Sequence, residues 1–169
     1  MNQALAEVFR YNRWANRQLI EACRSLSDEH LDTRVRGTSG RIRELLVHVV
    51  GAQQTFVLRT MGRQQEGELN RSSPWPGFDV LLDVAEQSSE QLVEIAAGLV
   101  EDSEVALRYM DKVFRYPKSF ILAHAAEHGV EHRTEIKLAL AQLGIETPDL
   151  DGWLYCNAAG YGREVTPGP

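Results

Sequence analysis

Only two cysteines, Cys23 and Cys156, occur among the 169 residues. Separated by most of the chain, they form neither a disulfide framework nor a cysteine-based zinc site, and they read as buried or bystander thiols. Cations are also in short supply: 18 Lys and Arg stand against 24 Asp and Glu, a formal charge of −6. Clustered cations displace counterions from nucleic acid and hold proteins on anionic membranes, so this balance argues against both partners. Long apolar runs are missing as well. The stretch Leu45-Leu46-Val47-His48-Val49 is already interrupted by a histidine, whereas a membrane span takes roughly 20 apolar residues. The opening Met1-Asn2-Gln3 lacks the basic region and apolar stretch of an export signal, and the expectation is a cytoplasmic protein.

What the chain does have is enough apolar material for a core, 43% of its residues. That predicts a single domain over residues 1–160, followed by a flexible tail at 161–169. Four segments carry apolar residues at helical spacing. The first places Leu5, Val8, Phe9, Leu19, Ile20, Cys23 and Leu26 on one stripe, with Asn12 and Asn16 in the middle of it. The second starts after Thr38-Ser39-Gly40, with Ser39 as the expected N-cap, and runs through Ile42, Leu45, Val49, Ala52 and Phe56 to a stop at Gly62. A third spans Leu81 to Leu99, preceded by the loop Ser72-Ser73-Pro74-Trp75-Pro76-Gly77. The fourth begins near Pro117 and ends at Gly144.

Between the third and fourth segments, Val105, Leu107 and Tyr109 alternate before a turn expected at Asp111-Lys112, which predicts a short hairpin. The connections around 27–40, 63–78 and 100–116 are longer than the tight loops of an up-down bundle. The expected fold is therefore an all-α four-helix bundle with long crossover connections and a short β-hairpin before the fourth helix.

Three of the five histidines, His124, His128 and His132, are spaced i, i+4, i+8 on the fourth helix. Each step advances about 6 Å and turns only about 40°, so all three project from one side. Burying three imidazoles on an apolar face requires three sets of hydrogen-bond partners, and one metal ion satisfies them more economically. Bonds from zinc to nitrogen are about 2.0–2.1 Å long, while the backbones of the outer pair are about 12 Å apart. A single ion takes either His124 with His128 or His128 with His132. His48 lies on the core stripe of the second helix and is the natural source of a third ligand. His30 falls in the polar loop Ser27-Asp28-Glu29-His30.

Three motifs in order, Tyr11-Asn-Arg-Trp-Ala-Asn16, Leu45-Leu-Val-His-Val49 and His124-Ala-Ala-Glu-His-Gly-Val-Glu-His-Arg133, resemble those of the DinB-like (DinB/YfiT-like) four-helix family of metal-dependent proteins. The resemblance covers nearly the whole chain. It implies a divalent ion held by one histidine of the second helix and two, four residues apart, of the fourth, which here are His48, His128 and His132, the last marked by Arg133. His124 is then a group behind the ligands or one lining the pocket. Many relatives continue His-Arg with Gly-Gln, where this chain has Thr134-Glu135. The resemblance also implies thiol-dependent transferase or isomerase chemistry with a bacterial low-molecular-weight thiol. It further implies a C-terminal tail folded back over the bundle, with Trp153 and Tyr155 as anchors.

Three neutral ligands leave a position open for water or substrate, as in catalytic zinc sites. Such an ion activates either a thiol or water. Zinc is the default, with nickel or iron as alternatives, because imidazole suits them all. Asn12 and Asn16 are placed around the ion. Glu135, three residues past His132, returns to the histidine side and can orient an imidazole through its second nitrogen. Arg13, Arg41, Arg43 and Arg133 are the candidates for a cationic pocket rim. The expected partner is a small-molecule substrate, with homodimer formation through an exposed helix pair. A non-catalytic metal-binding stress-response protein is the competing class.

Overall fold

The computed structural model describes residues 2–65 and 67–162. The first helix, α1 (Gln3–Cys23), is capped by the Asn2 side chain, which accepts from the Leu5 amide at 3.1 Å. A short helix α2 (Asp28–Asp32), capped by Ser27, stands where a polar loop with His30 was expected. Helix α3 (Ile42–Thr60) starts from Arg41 instead of Ser39, and the Glu44 carboxylate accepts from the Arg41 amide at 2.9 Å. Ser39 is otherwise engaged, because its amide and hydroxyl both donate to Glu135. Gly62, with φ +73, ends that helix. Helix α4 (Phe78–Gly98) follows the 61–77 loop.

The expected hairpin is present: β1 (Glu104–Tyr109) pairs antiparallel with β2 (Lys112–Pro117). Its turn falls at Met110-Asp111, one residue earlier than the sequence suggested, with Met110 in the left-handed region at φ 53. Pro117 leads into α5 (Lys118–Gln142), and α6 (Gly152–Ala158) closes the fold.

Helix α1 packs mainly on α4, α4 on α3, α3 on α5, and α5 back on α1. Consecutive helices α1 and α3 are thus diagonal in the bundle, as are α4 and α5. Two of the long connections are explained by this: each crosses an end of the bundle, one through α2 and the other through the hairpin. The 61–77 loop is long for another reason, since it returns along α3. Gly51 permits that approach, because a Cβ there would lie 2.0 Å from the Leu69 carbonyl oxygen.

The apolar interior falls into two clusters. One gathers Leu19, Ile20, Leu45, Leu46, Leu81 and Ile136. The other joins Phe9, Phe56, Leu92, Leu107 and Leu122, so it includes the hairpin. Between them lies a buried polar layer of Asn12, Asn16, Gln53, Ser88, Ser89 and Arg133.

The C-terminal segment folds back on α1 through Tyr155, whose hydroxyl donates to Glu7 and whose ring stands 5.6 Å from Tyr11 and 5.7 Å from Trp14. Trp153 does not anchor it: that side chain is 79% exposed, because the short α6, about two turns long, presents a single side to α1. Within the stretch expected as a flexible tail, the Tyr161 hydroxyl donates to Glu7 at 3.1 Å. Residues 163–169 lie outside the described residues. Among the described residues, no helix is long and apolar enough to cross a membrane.

Candidate metal centre

His48 stands on α3 beside the 61–77 loop, and His128 and His132 stand one turn apart on α5, the helix packed against α3. Ring centroids of His48 lie 4.9 Å from His128 and 4.5 Å from His132, and those of His128 and His132 are 4.4 Å apart. Each of the three offers a ring nitrogen within 4.8 Å of the others. Nitrogens on one tetrahedral ion at about 2.0–2.1 Å sit about 3.4 Å apart. Closure by at most about 1.4 Å therefore seats an ion, well within the reach of small χ adjustments. The three histidines are positioned to hold a metal ion.

Burial pushes His128 down to about 3, and the neighbouring His132, His48, His124 and Arg71 charges act in the same direction. His48 is held at about 4, by burial first, then by Arg71 and His132, against the opposing pull of Glu135. Both imidazoles are therefore neutral at physiological pH, with lone pairs available to a metal. Among the described residues neither makes a hydrogen bond, and no buried side-chain nitrogen or oxygen is left unpaired. Their nitrogens consequently reach open space.

His132 is finished differently. Its Nδ1 lies 2.5 Å from Glu135 Oε2. Burial alone would raise the Glu135 pKa, but hydrogen bonds from His132 and from the Ser39 amide and hydroxyl outweigh it and hold the group below the usual carboxylate range. A carboxylate accepts, so Nδ1 carries the proton and Nε2 faces the cluster, the arrangement in which a carboxylate orients a metal-binding imidazole. The Arg71 guanidinium in turn donates to the Ser39 hydroxyl at 3.0 Å. The 61–77 loop, the α3 approach and α5 are thereby linked behind one ligand.

The cluster lies at one end of a cavity of about 520 Å³, bordered by His48 and His128 and walled by α3, α5, the 61–77 loop and the hairpin. His124 is exposed and lines this cavity, its ring 5.0 Å from Phe56 and 6.1 Å from Phe120. It stays outside the cluster, its ring 6.2 Å from that of His128. His30, on α2, is also apart from it.

A model of the DinB family matches residues 1–165. The chain belongs to the DinB family. Two solved structures share the fold. A DinB-like protein from Bacillus cereus ATCC 10987 is 19% identical with a TM-score of 0.65, covering 88% of this chain and 99% of that one. A DinB-like protein, YjoA, from Bacillus subtilis is 20% identical with a TM-score of 0.59, covering 88% and 98%. None of the curated proteins compared matches.

In this DinB-family bundle, Asn12, Asn16 and Arg133 bond to one another, and Asn12 and Arg133 line a small internal pocket together with His128. Arg133 is 3% exposed and donates to Asn16 Oδ1 at 2.8 Å and to Asn12 Oδ1 at 2.5 Å. Asn16 donates to Gln53 Oε1 at 2.9 Å, and the Gln53 amide nitrogen donates to the Ala85 carbonyl and the Ser88 and Ser89 hydroxyls on α4. The Tyr11 ring faces the guanidinium at 5.9 Å. Burial lowers Arg133 to about 10, with Tyr11 opposing, which leaves it protonated at neutral pH.

The expected cationic rim of Arg13, Arg41, Arg43 and Arg133 is not found. Arg133 is interior, while Arg13 pairs with Glu86, Arg41 lies beside Glu44, and Arg43 pairs with Asp28 and Asp32. Arg59 and Arg108 line the cavity instead. Sequence reasoning gave Ser39 only a helix-capping role and passed over Arg71 and Gly51. For Gly51, the signal was a glycine three residues after His48 inside an otherwise unbroken helical pattern, where close backbone approach is a standing explanation.

Proposed function

We propose that the chain is a metal-dependent enzyme acting on a small molecule bound in the cavity, with His48, His128 and His132 holding one divalent ion. Zinc is the default occupant, with nickel or iron as alternatives. The observation that carries this reading is the position of the cluster. Two of its three imidazoles have nitrogens that reach open space at the end of a cavity large enough for a substrate, which suits a reactive centre better than a closed structural one.

When bound, such an ion lowers the pKa of a coordinated water or thiol and so supplies a nucleophile at neutral pH. Glu135 holds the His132 proton at Nδ1 and keeps Nε2 available as a ligand. Arg71, fixed to Ser39, contributes positive charge beside His48 and His128, which favours an anionic reacting group there. Phe56 and Phe120 flank His124 and give that part of the cavity wall an aromatic lining. Activation of a low-molecular-weight thiol for transfer to an electrophile is the preferred chemistry, and water activation the second.

Elemental analysis of untagged protein tests the metal, with one transition-metal ion per chain expected. A panel of low-molecular-weight thiols with electrophilic acceptors, assayed on zinc- and nickel-loaded protein, tests the chemistry. Bound metal without turnover or thiol binding across the panel favours the non-catalytic reading.

A further inference from the structure

The cavity has two chemically different ends, and α3 sets their separation. Gly51, Ala52 and Thr55 follow His48 by three, four and seven residues and give the cavity a floor of small side chains. Arg59 follows His48 by eleven, which on an α-helix is about 16 Å along the axis and within about 20° of the same direction. Helix α5 supplies a matching wall, with His128, His124 and Phe120 leading away from the cluster in four-residue steps.

The hairpin closes the far end. Gln64, just past α3, accepts from the Arg108 amide at 2.8 Å and donates to the Ala106 carbonyl at 3.2 Å. This pins β1 to the end of α3 that carries Arg59. Both guanidinium groups are exposed, both residues line the cavity, and among the described residues neither side chain has an ion-pair or hydrogen-bond partner. No Asp or Glu lines the cavity among the described residues. In a chain with 24 acidic against 18 basic residues, two cations that line one cavity with no carboxylate partner among the described residues mark an anion site. The surface between them and the cluster is apolar and aromatic, with Phe56, Leu107, Tyr116, Phe120 and Ile121 contributing.

We propose that the cavity binds an amphipathic organic anion: an apolar body of aromatic dimensions, carrying a carboxylate or similar anionic group held by Arg59 and Arg108, with its other end directed at His48 and His128. Guanidinium groups bind such anions through charge-assisted, often bidentate hydrogen bonds, and aromatic walls prefer edge and offset contacts with a flat body. The proposal rests on the metal-centre reading for the identity of the reacting end only. Recognition of the anion needs no metal.

The test uses 4-phenylbutyrate and its uncharged counterpart 4-phenylbutanol, titrated calorimetrically into the full chain after chelation. The acid is expected to bind about tenfold tighter than the alcohol, the scale of a hydrogen bond to a charged group. That preference should vanish in the Arg59→Gln/Arg108→Gln double variant, whose melting temperature should be unchanged because both side chains are exposed, and should survive in His128→Ala. Equal binding of acid and alcohol, no binding of either, or a preference that persists in the double variant would overturn the proposal. So would its loss in His128→Ala with the arginines intact, which would place the anion at the histidines. Because the protein is metal-free throughout, a failure of the metal reading leaves these outcomes unaffected.

Discussion

Helix α5 carries two polar clusters side by side, and they are completed in opposite ways. Arg133 and its partners form a closed layer in which Asn12, Asn16, Gln53, Ser88 and Ser89 answer one another's hydrogen bonds across four helices. One residue earlier on the helix, His132 has a partner in Glu135, but His48 and His128 have no hydrogen-bond partner among the described residues. Both clusters interrupt an apolar interior. A polar group in a core is tolerated when its bonds are made, so the layer needs nothing from outside. The triad holds lone pairs toward a cavity and is positioned to take an external ligand there. Adjacent residues of one sequence motif thus belong to a closed network and to an open cluster.

Arg133→Ala should have the largest effect on the closed side. It orphans two buried amide oxygens and opens a cavity, a loss of roughly 3–5 kcal/mol by denaturant titration. A loss below about 1 kcal/mol would mean that water already penetrates the layer. On the open side, His128→Ala should change metal-free stability by less than about 1 kcal/mol. It should nevertheless abolish stabilisation by zinc, about 4 kcal/mol at a thousandfold excess over Kd. His124→Ala should keep the ion, since that ring lies outside the cluster. Metal retained at full stoichiometry in His128→Ala would remove the site from consideration.

Glu135→Gln sharpens the contrast, because it alters the one ligand with a protein partner. A fall of 10–100-fold in zinc affinity is expected, with the site still able to load. The smallest effect is pH dependence. His48 and His128 titrate at about 4 and about 3 in the folded chain against an ordinary 6.5. The unfolded chain therefore binds more protons, and the metal-free protein loses stability as pH falls from about 6.5 through those values. Above that window the two groups contribute no pH dependence. The His48→Gln/His128→Gln variant should flatten the slope of the unfolding midpoint between pH 6.5 and 4.

Helical periodicity made the four long helices legible in the sequence, and alternation revealed the hairpin. Helices α2 and α6 are too short to show a period, and their boundaries depend on the caps Ser27 and Asp151. Three histidines in register on α5 made a metal site legible, whereas the choice of His128 and His132 over His124, with His48 as third member, came from the family resemblance and not from spacing. The interior place of Arg133 was not legible, since a charged residue on a helix reads as surface until tertiary partners appear. Ser39 misled for a related reason: a good N-cap residue was recruited by Glu135, distant in sequence. The cationic end of the cavity depends on a hairpin docked by Gln64, a contact with no local signature.

The ring order of the helices bears on how the protein comes apart. His48 and His128 face each other only when α3 meets α5, and α4 and the hairpin lie between them in the sequence. No local hairpin of helices preassembles the three ligands, and loop closure must come before metal gains its full set. An ion bound there should therefore leave the refolding rate almost unchanged and slow unfolding instead, since it strengthens contacts completed late. Metal would then act on this fold chiefly as a kinetic lock, prolonging the lifetime of the assembled state.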